Sequence, residues 1–119
     1  MDLSFQFKKK FTLEQRTDES ARIRSKYPDR IPIVVEPNNT DKTFVLDKHK
    51  YLVPSDLTFG QLLHVIRKRV KLAQEEAIYM FTDDGTLVAS SELVSSVYKR
   101  HKSDDGFVYF KVSKENTFG

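Results

Sequence analysis

The sequence contains no cysteine, only 4 glycines among 119 residues, and no long apolar run. The first absence removes a disulfide framework, a thiolate metal site and a thiol nucleophile together, and it suits a reducing compartment such as cytosol or nucleus. The second leaves no glycine-rich phosphate loop and no nucleophile elbow. The third leaves nothing near the ~18 residues of a membrane span. The opening MDLSFQFKKK also lacks the apolar stretch of a secretory signal and the glycine that myristoylation requires. Any membrane attachment is therefore expected to be made later. Histidine is sparse: His49, His64 and His101 fall on three separate segments without an H-x-x-x-H pair, so no transition-metal site is expected. Charge of one sign is only slightly in excess, at +3.

What is present suits one soluble globular domain: 39% hydrophobic and 31% charged residues, with 9 Phe and 5 Tyr to build an aromatic core. At this length a chain buries roughly two thirds of its unfolded surface without covalent help. The positive charge concentrates at Lys8 to Lys10 and at Arg67, Lys68, Arg69 and Lys71. Such runs are either solvated faces or attractors of acidic peptides, anionic lipid heads or nucleic acid.

Read along the chain, Thr12 and Gln15 stand in capping-box spacing before a helix from about Leu13 to Lys26, whose narrow apolar stripe makes it an appendage. RIPIVVEP is a strand, in which Ile31, Ile33 and Val35 face one way and Pro32, Val34 and Glu36 the other. Pro32 belongs at its first residues or at an unpaired edge, because proline donates nothing to a ladder. A second short strand places Lys50 and Leu52 on one side, Tyr51 and Val53 on the other, and ends at Pro54. LTFGQLLHVIRKRVKL carries the strongest helix signal, with a second capping box at Thr58 and Gln61, a Leu57–Leu62 staple, and Phe59, Leu62, Leu63, Ile66 and Val70 on one face. AIYMF and GFVYFKV read as strands, TDDGT as a turn, SSELVSSVYKRH as a short serine-capped helix, and SKENTFG as a mobile tail. The order is that of an α+β fold, a helix across one face of a mixed sheet.

No catalytic constellation emerges, and the chain is read as a non-enzyme without cofactor. Asp83–Asp84 and Asp104–Asp105 each abut a glycine, so turn chemistry explains them better than acid–base work. In FQFKKKF, Phe5, Phe7 and Phe11 are read as anchoring the N-terminal arm on the domain in preference to touching a membrane. A nucleic-acid domain would interleave aromatics with basic residues on one exposed sheet face. Here the basic run lies on a helix, away from Tyr79, Phe107 and Tyr109.

The stretches KYPDRIPIVVE, DKHKYLVPSDLTFGQ, IRKRV and DDGFVYFKVSKENTFG resemble the autophagy ubiquitin-like modifiers, the family of light chain 3 and GABARAP, from about Phe11 to Gly119. The resemblance implies a ubiquitin-like β-grasp with additional N-terminal helices: a helical extension at 1–28, a core at 29–112 and a conjugation tail at 113–119. It implies that Gly119 is passed through activating and conjugating enzymes to phosphatidylethanolamine, after processing by a cysteine protease, with Phe118 helping enzymes grip the tail. The protein would move from cytoplasm to the autophagosome membrane. Receptors with aromatic-x-x-aliphatic motifs would add as a strand to a sheet edge. The aromatic residue would meet Glu19, Ile23, Pro32, Val34, Lys50, Leu52 and Phe107. The aliphatic residue would meet Tyr51, Val53, Pro54, Leu57, Leu62 and Val65, and an acidic flank would meet Arg30, Lys48, Lys50 and Arg67. For Leu62 and Val65 plain core packing is the competing reading. Four features depart from the family pattern: Leu62 in place of phenylalanine, TDDGTLVAS, His49 at a commonly basic place, and the loop PNNTDKTFVL. They point to a divergent paralogue, and a paralogue that binds motifs without being conjugated is the alternative function.

Overall fold

RIPIVVEP is apolar on both of its faces, so the strand it forms, β1 (Arg30–Pro37), needs a layer on each side. The computed structural model describes residues 4–38, 46–70 and 77–114, and supplies both layers. Along the chain follow α1 (Gln6–Lys10), α2 (Leu13–Lys26), β1, β2 (Lys50–Pro54), α3 (Phe59–Arg69), β3 (Ile78–Thr82), α4 (Val94–His101) and β4 (Val108–Lys114). The sheet order is β2-β1-β4-β3, with β1 and β4 parallel at the centre and antiparallel strands outside. This is the mixed α+β sheet expected.

On one face Ile31, Ile33 and Val35 join Tyr51, Val53, Phe110 and Val112 beneath α3, which contributes Phe59, Leu62, Ile66 and Val70. Each such buried side chain stabilises the fold by ~1.5–3 kcal/mol. The capping box at Thr58 and Gln61 forms in both directions. On the other face Val34 lies in a second, aromatic cluster with Phe5, Phe7, Phe107 and Tyr109, flanked by Phe11 and Ile23. The N-terminal arm is thus anchored on the domain by Phe5 and Phe7, through edge-on contacts with Tyr109 and Phe107.

Pro32 is the third residue of a central strand. Val35 donates its N–H to His49, so the odd residues of β1 face β2 and the missing N–H of Pro32 falls on the β4 side. There the ladder begins only at Ile33 opposite Val108. No bond is forfeited.

Three local expectations are corrected. The fourth helix is not serine-capped: its N-cap is Leu93, and the amides of Val94 and Ser95 donate to the carbonyls of Leu57 and Ser55 instead. Ser113 and Lys114 belong to β4 and not to a tail, because Asn38 holds the strand end through its N–H to Val112 and its side-chain amide to the Ser113 hydroxyl. Asp105 is more than a turn residue. It accepts from the Phe107 N–H as a turn aspartate would, but it is buried and also takes Arg16 and the Tyr109 hydroxyl. Asp84 does behave as turn chemistry: hydrogen bonds from Thr82 and Thr86 hold its carboxyl down at about 2.

Burial raises the phenol of Tyr109 well above its ordinary range, and the hydrogen bond to Asp105 adds to this. Burial likewise pushes Tyr51 up to about 12. Both folded values exceed the unfolded value of ~10, so their contribution is complete below pH ~10 and is lost as pH rises toward the folded values. Stability should fall by up to ~1.4 kcal/mol per pH unit for each phenol above that point. Urea unfolding from pH 9 to 11.5 measures it. Tyr109→Phe should flatten the slope, and an unchanged slope would remove Tyr109 as its source.

Candidate functional site

β2 pairs only with β1 among the described strands, which leaves its other edge open. Because the Val35–His49 pair is hydrogen-bonded, the Ile33–Tyr51 and Ile31–Val53 pairs share that inward orientation. The N–H and C=O groups of Lys50 and Leu52 therefore point to the open edge, where the Arg30 guanidinium reaches the Leu52 carbonyl at 3.4 Å. An exposed edge of this kind is a template for an added strand.

The two sides of that edge differ. On the α2 side a cleft of about 300 Å³ is lined by Ile23, Lys48, Lys50, Tyr51, Leu52 and Phe107. Cross-strand pairing puts Pro32 opposite Leu52 and Val34 opposite Lys50, so all four share this face. Pro32 and Val34 are buried, and Val34 sits in the aromatic cluster together with Phe7 and Phe107. Glu19 stands at the rim, its carboxylate accepting from the Lys50 ammonium at 2.8 Å.

On the α3 side, Tyr51, Val53 and Leu62 are core residues, and Leu62 is fully buried. Packing accounts for Leu62, which offers no surface to a ligand in this conformation. Val65, in contrast, is 39% exposed, Pro54 is exposed and Leu57 half-buried, so the accessible apolar groups here are these three. Tyr51 lines the α2-side cleft as well, and its hydroxyl donates to the Lys48 carbonyl at 2.8 Å.

Of the basic residues, Lys48 lies on the cleft wall, its ammonium 5.1 Å from the Tyr51 ring centroid. Arg67 is half-buried on α3. Gly119, Phe118 and the loop from 39 to 45 lie outside the described residues. Among the described residues no group of His, Cys, Asp or Glu is placed to hold a metal, and no helix is long and apolar enough to cross a membrane.

A second cleft, not anticipated from the sequence, opens between α1 and the start of β2. It measures about 510 Å³ and includes Phe7, Lys10, Phe11, Lys48, His49 and Lys50. In the sequence this region is marked by the FQFKKKF stretch, which reads as an anchor in preference to a membrane contact and carries no sign of a cleft.

Comparison with known proteins gives this geometry its context. Residues 15–119 match the family model described as autophagy protein Atg8 ubiquitin like. The chain is 54% identical over 114 residues to autophagy-related protein 8 of Schizosaccharomyces pombe, covering 96% of this chain and 93% of that protein. It is 51% identical over 113 residues to autophagy-related protein 8a of Arabidopsis thaliana, covering 95% of this chain and 92% of that one. The crystal structure of Trypanosoma brucei ATG8 superposes with a TM-score of 0.87 at 40% identity, covering 94% of this chain and 96% of the other. A family match over nearly the whole length, a shared ubiquitin-like fold and relatives about half identical in sequence establish that this chain belongs to the Atg8 family of ubiquitin-like autophagy proteins.

Proposed function

We propose that this protein is a membrane-conjugated modifier of autophagy, joined through the Gly119 carboxyl to phosphatidylethanolamine, and that its folded domain docks receptor peptides along the open edge of β2. It acts as a mark and a docking partner, not as an enzyme. Conjugation needs a carbonyl open to successive nucleophiles, which a residue without Cβ provides. Two acyl chains then give the stable anchoring that one chain does not. The partners are the activating and conjugating enzymes, the processing cysteine protease, and receptors bearing aromatic-x-x-aliphatic motifs. The protein would pass from cytoplasm to the autophagosome surface.

The observation that carries the docking reading is the outward-facing Lys50 and Leu52 backbone with an apolar cleft beside it. Residues three apart on a strand project to opposite faces. The motif's aromatic would therefore enter the cleft by Ile23 and Phe107, and its aliphatic residue would cross to Pro54, Leu57 and Val65. Arg30, Lys48 and Arg67 would steer an acidic flank.

Intact mass after incubation with ATP, the family's conjugating machinery and phosphatidylethanolamine vesicles tests the first half. A one-lipid adduct is expected on the wild type and none on Gly119→Ala. Calorimetry tests the second: Tyr51→Ala with Leu52→Ala should abolish motif-peptide binding while circular dichroism still reports a folded domain. Lack of an adduct with machinery competent on another family member, together with intact peptide binding, would leave the non-conjugated motif binder as the function.

A further inference from the structure

The stretch YKRHK, Tyr98 to Lys102, closes α4 and lines neither of the two clefts beside β2. Its tyrosine is half-buried, with the ring packed against the core beneath α3. Two cations from different elements lie near that ring: the Arg24 guanidinium of α2 at 5.4 Å from the centroid, and the Lys102 ammonium at 5.5 Å. Arg24 is held in place, its Nη1 donating to the carbonyls of Pro28 at 2.9 Å and Arg30 at 2.5 Å. Its Nε and Nη2 remain to meet an anion. Neither Arg24 nor Lys102 pairs with a carboxylate of the described residues, whereas Arg100 on the same helix is already engaged by Glu92.

The Tyr98 hydroxyl also differs from those of the buried tyrosines. Tyr51 and Tyr109 donate to the Lys48 carbonyl and the Asp105 carboxylate, and Tyr98 has no such partner among the described residues. A phenol ring with an arginine and a lysine beside it is the surrounding that a phosphotyrosine requires. The cations meet the π face of the neutral ring, and each side chain is long enough to follow a phosphate placed on the hydroxyl. Access to that hydroxyl needs little unfolding. The core residues of α4 are Val94 and Val97, in its first turns, and the last turn is closed by the Lys102 N–H on the Tyr98 carbonyl at 3.0 Å. This turn frays without unseating Val94 or Val97.

From this juxtaposition we infer that Tyr98 is a site of modification by a tyrosine kinase, and that Arg24 and Lys102 hold the resulting phosphate. The kinase transfers the γ-phosphoryl group of ATP: a P–O bond to the Tyr98 oxygen forms as the bond to ADP breaks, and the phenolic proton passes to the kinase's base. The phosphate then joins two elements through charge-assisted hydrogen bonds, α4 through its own tyrosine and Lys102, α2 through Arg24. Arg24 adjoins Ile23, which lines the α2-side cleft, so the clamp closes one residue from the docking site. The exposed carboxylates nearest in sequence, Asp29 and Asp104, are bonded to neither cation.

The test has two arms, both on the full chain. In the first, phosphotyrosine is installed during translation at position 98 or, as a control, at position 27, where the exposed ring has only the neighbouring Lys26 beside it. Phosphotyrosine at 98 should raise the melting temperature by about 5 °C and slow exchange of the Tyr27 amide, which closes α2, about tenfold. Phosphotyrosine at 27 should do neither. Lys102→Gln, on an exposed side chain, and Arg24→Gln should each remove half or more of the rise, every variant being compared with its own unphosphorylated form. In the second arm, a broad-specificity tyrosine kinase and ATP act on the wild type, and peptide mass mapping compares Tyr98 with Tyr27. Labelling of both is expected. No rise for phosphotyrosine at 98, or a rise that survives both glutamine variants, would overturn the clamp. Labelling of Tyr27 without Tyr98 would overturn the site.

Discussion

Replacing Asp105 by alanine should cost about 3–5 kcal/mol, because it strands a partly buried cation and orphans two further donors at once. The Asp105 carboxylate is buried, with one oxygen 2.6 Å from the Arg16 guanidinium and also taking the Tyr109 hydroxyl. Its other oxygen accepts from the Phe107 N–H at 2.9 Å. Its backbone carbonyl accepts from the Ser20 hydroxyl. These bonds dock α2, whose apolar contribution is small: Leu13 is 53% exposed and Ser20 is its one fully buried residue. The following Gly106 is required by the same contact, since it has φ +87° and an added Cβ would lie 2.5 Å from the Ser20 hydroxyl oxygen. A fall in melting temperature on the order of 10 °C or more is expected for Asp105→Ala. Asp105→Asn keeps an acceptor for the Phe107 amide and should lose less. A double-mutant cycle with Arg16→Met should show strong coupling, since removing both partners relieves the stranded charge. A loss below about 1 kcal/mol for Asp105→Ala would mean that α2 is held by something else.

That network also shows where reading the sequence stops. The alternation in RIPIVVEP, both capping boxes and the apolar face of α3 were legible because each rests on residues within a few positions of one another. Parity groups Pro32 with Val34 and Lys50 with Leu52, whereas the register between the two strands is what puts both pairs on one face. Asp105 was read as a turn residue because its partner Arg16 is 89 positions away. The N-terminal helix carries no side-chain cap of its own; the carboxylate that satisfies its amides is Glu36, 29 positions from Phe7. The cap of α4 is likewise supplied by carbonyls of another segment. In the candidate site, Ile23, Lys50, Leu52 and Phe107 line one cleft. Tyr51 lines that cleft and belongs to the core as well. The separation of accessible from buried members on the α3 side depends on packing that parity alone does not give.

Glu36→Ala should release the N-terminal helix, and the size of the effect is set by what that release allows. Glu36 and Lys111 are both buried, on adjacent strands in register, their charged groups 3.8 Å apart. The Glu36 oxygens accept from the Gln6 and Phe7 amides at 2.8 and 2.9 Å, and the Lys111 ammonium lies 4.5 Å from the Phe5 ring centroid. Breaking a buried pair by removing one member costs about 3–5 kcal/mol if the structure stays closed. The alternative is to undock α1 and hydrate Lys111, which forfeits the burial of Phe5 and Phe7, about 3–6 kcal/mol for two such side chains. The two costs are similar, and the lost cap lowers the second, so undocking should win. Hydrogen exchange should then lose protection at the Gln6 and Phe7 amides while the amides of β1 and β4 keep theirs. Phe7 meets Phe107 edge-on at 5.2 Å, and Phe107 lines the α2-side cleft. A motif peptide should therefore bind more weakly to Glu36→Ala although no residue of the open edge has changed. Glu36→Gln with Lys111→Met removes both charges, keeps an acceptor for α1 and should restore protection and affinity together. Retained protection at Gln6 and Phe7 in the alanine variant would show that the aromatic contacts hold the helix without Glu36. Lost protection with unchanged peptide affinity would separate the arm from the cleft it packs beside.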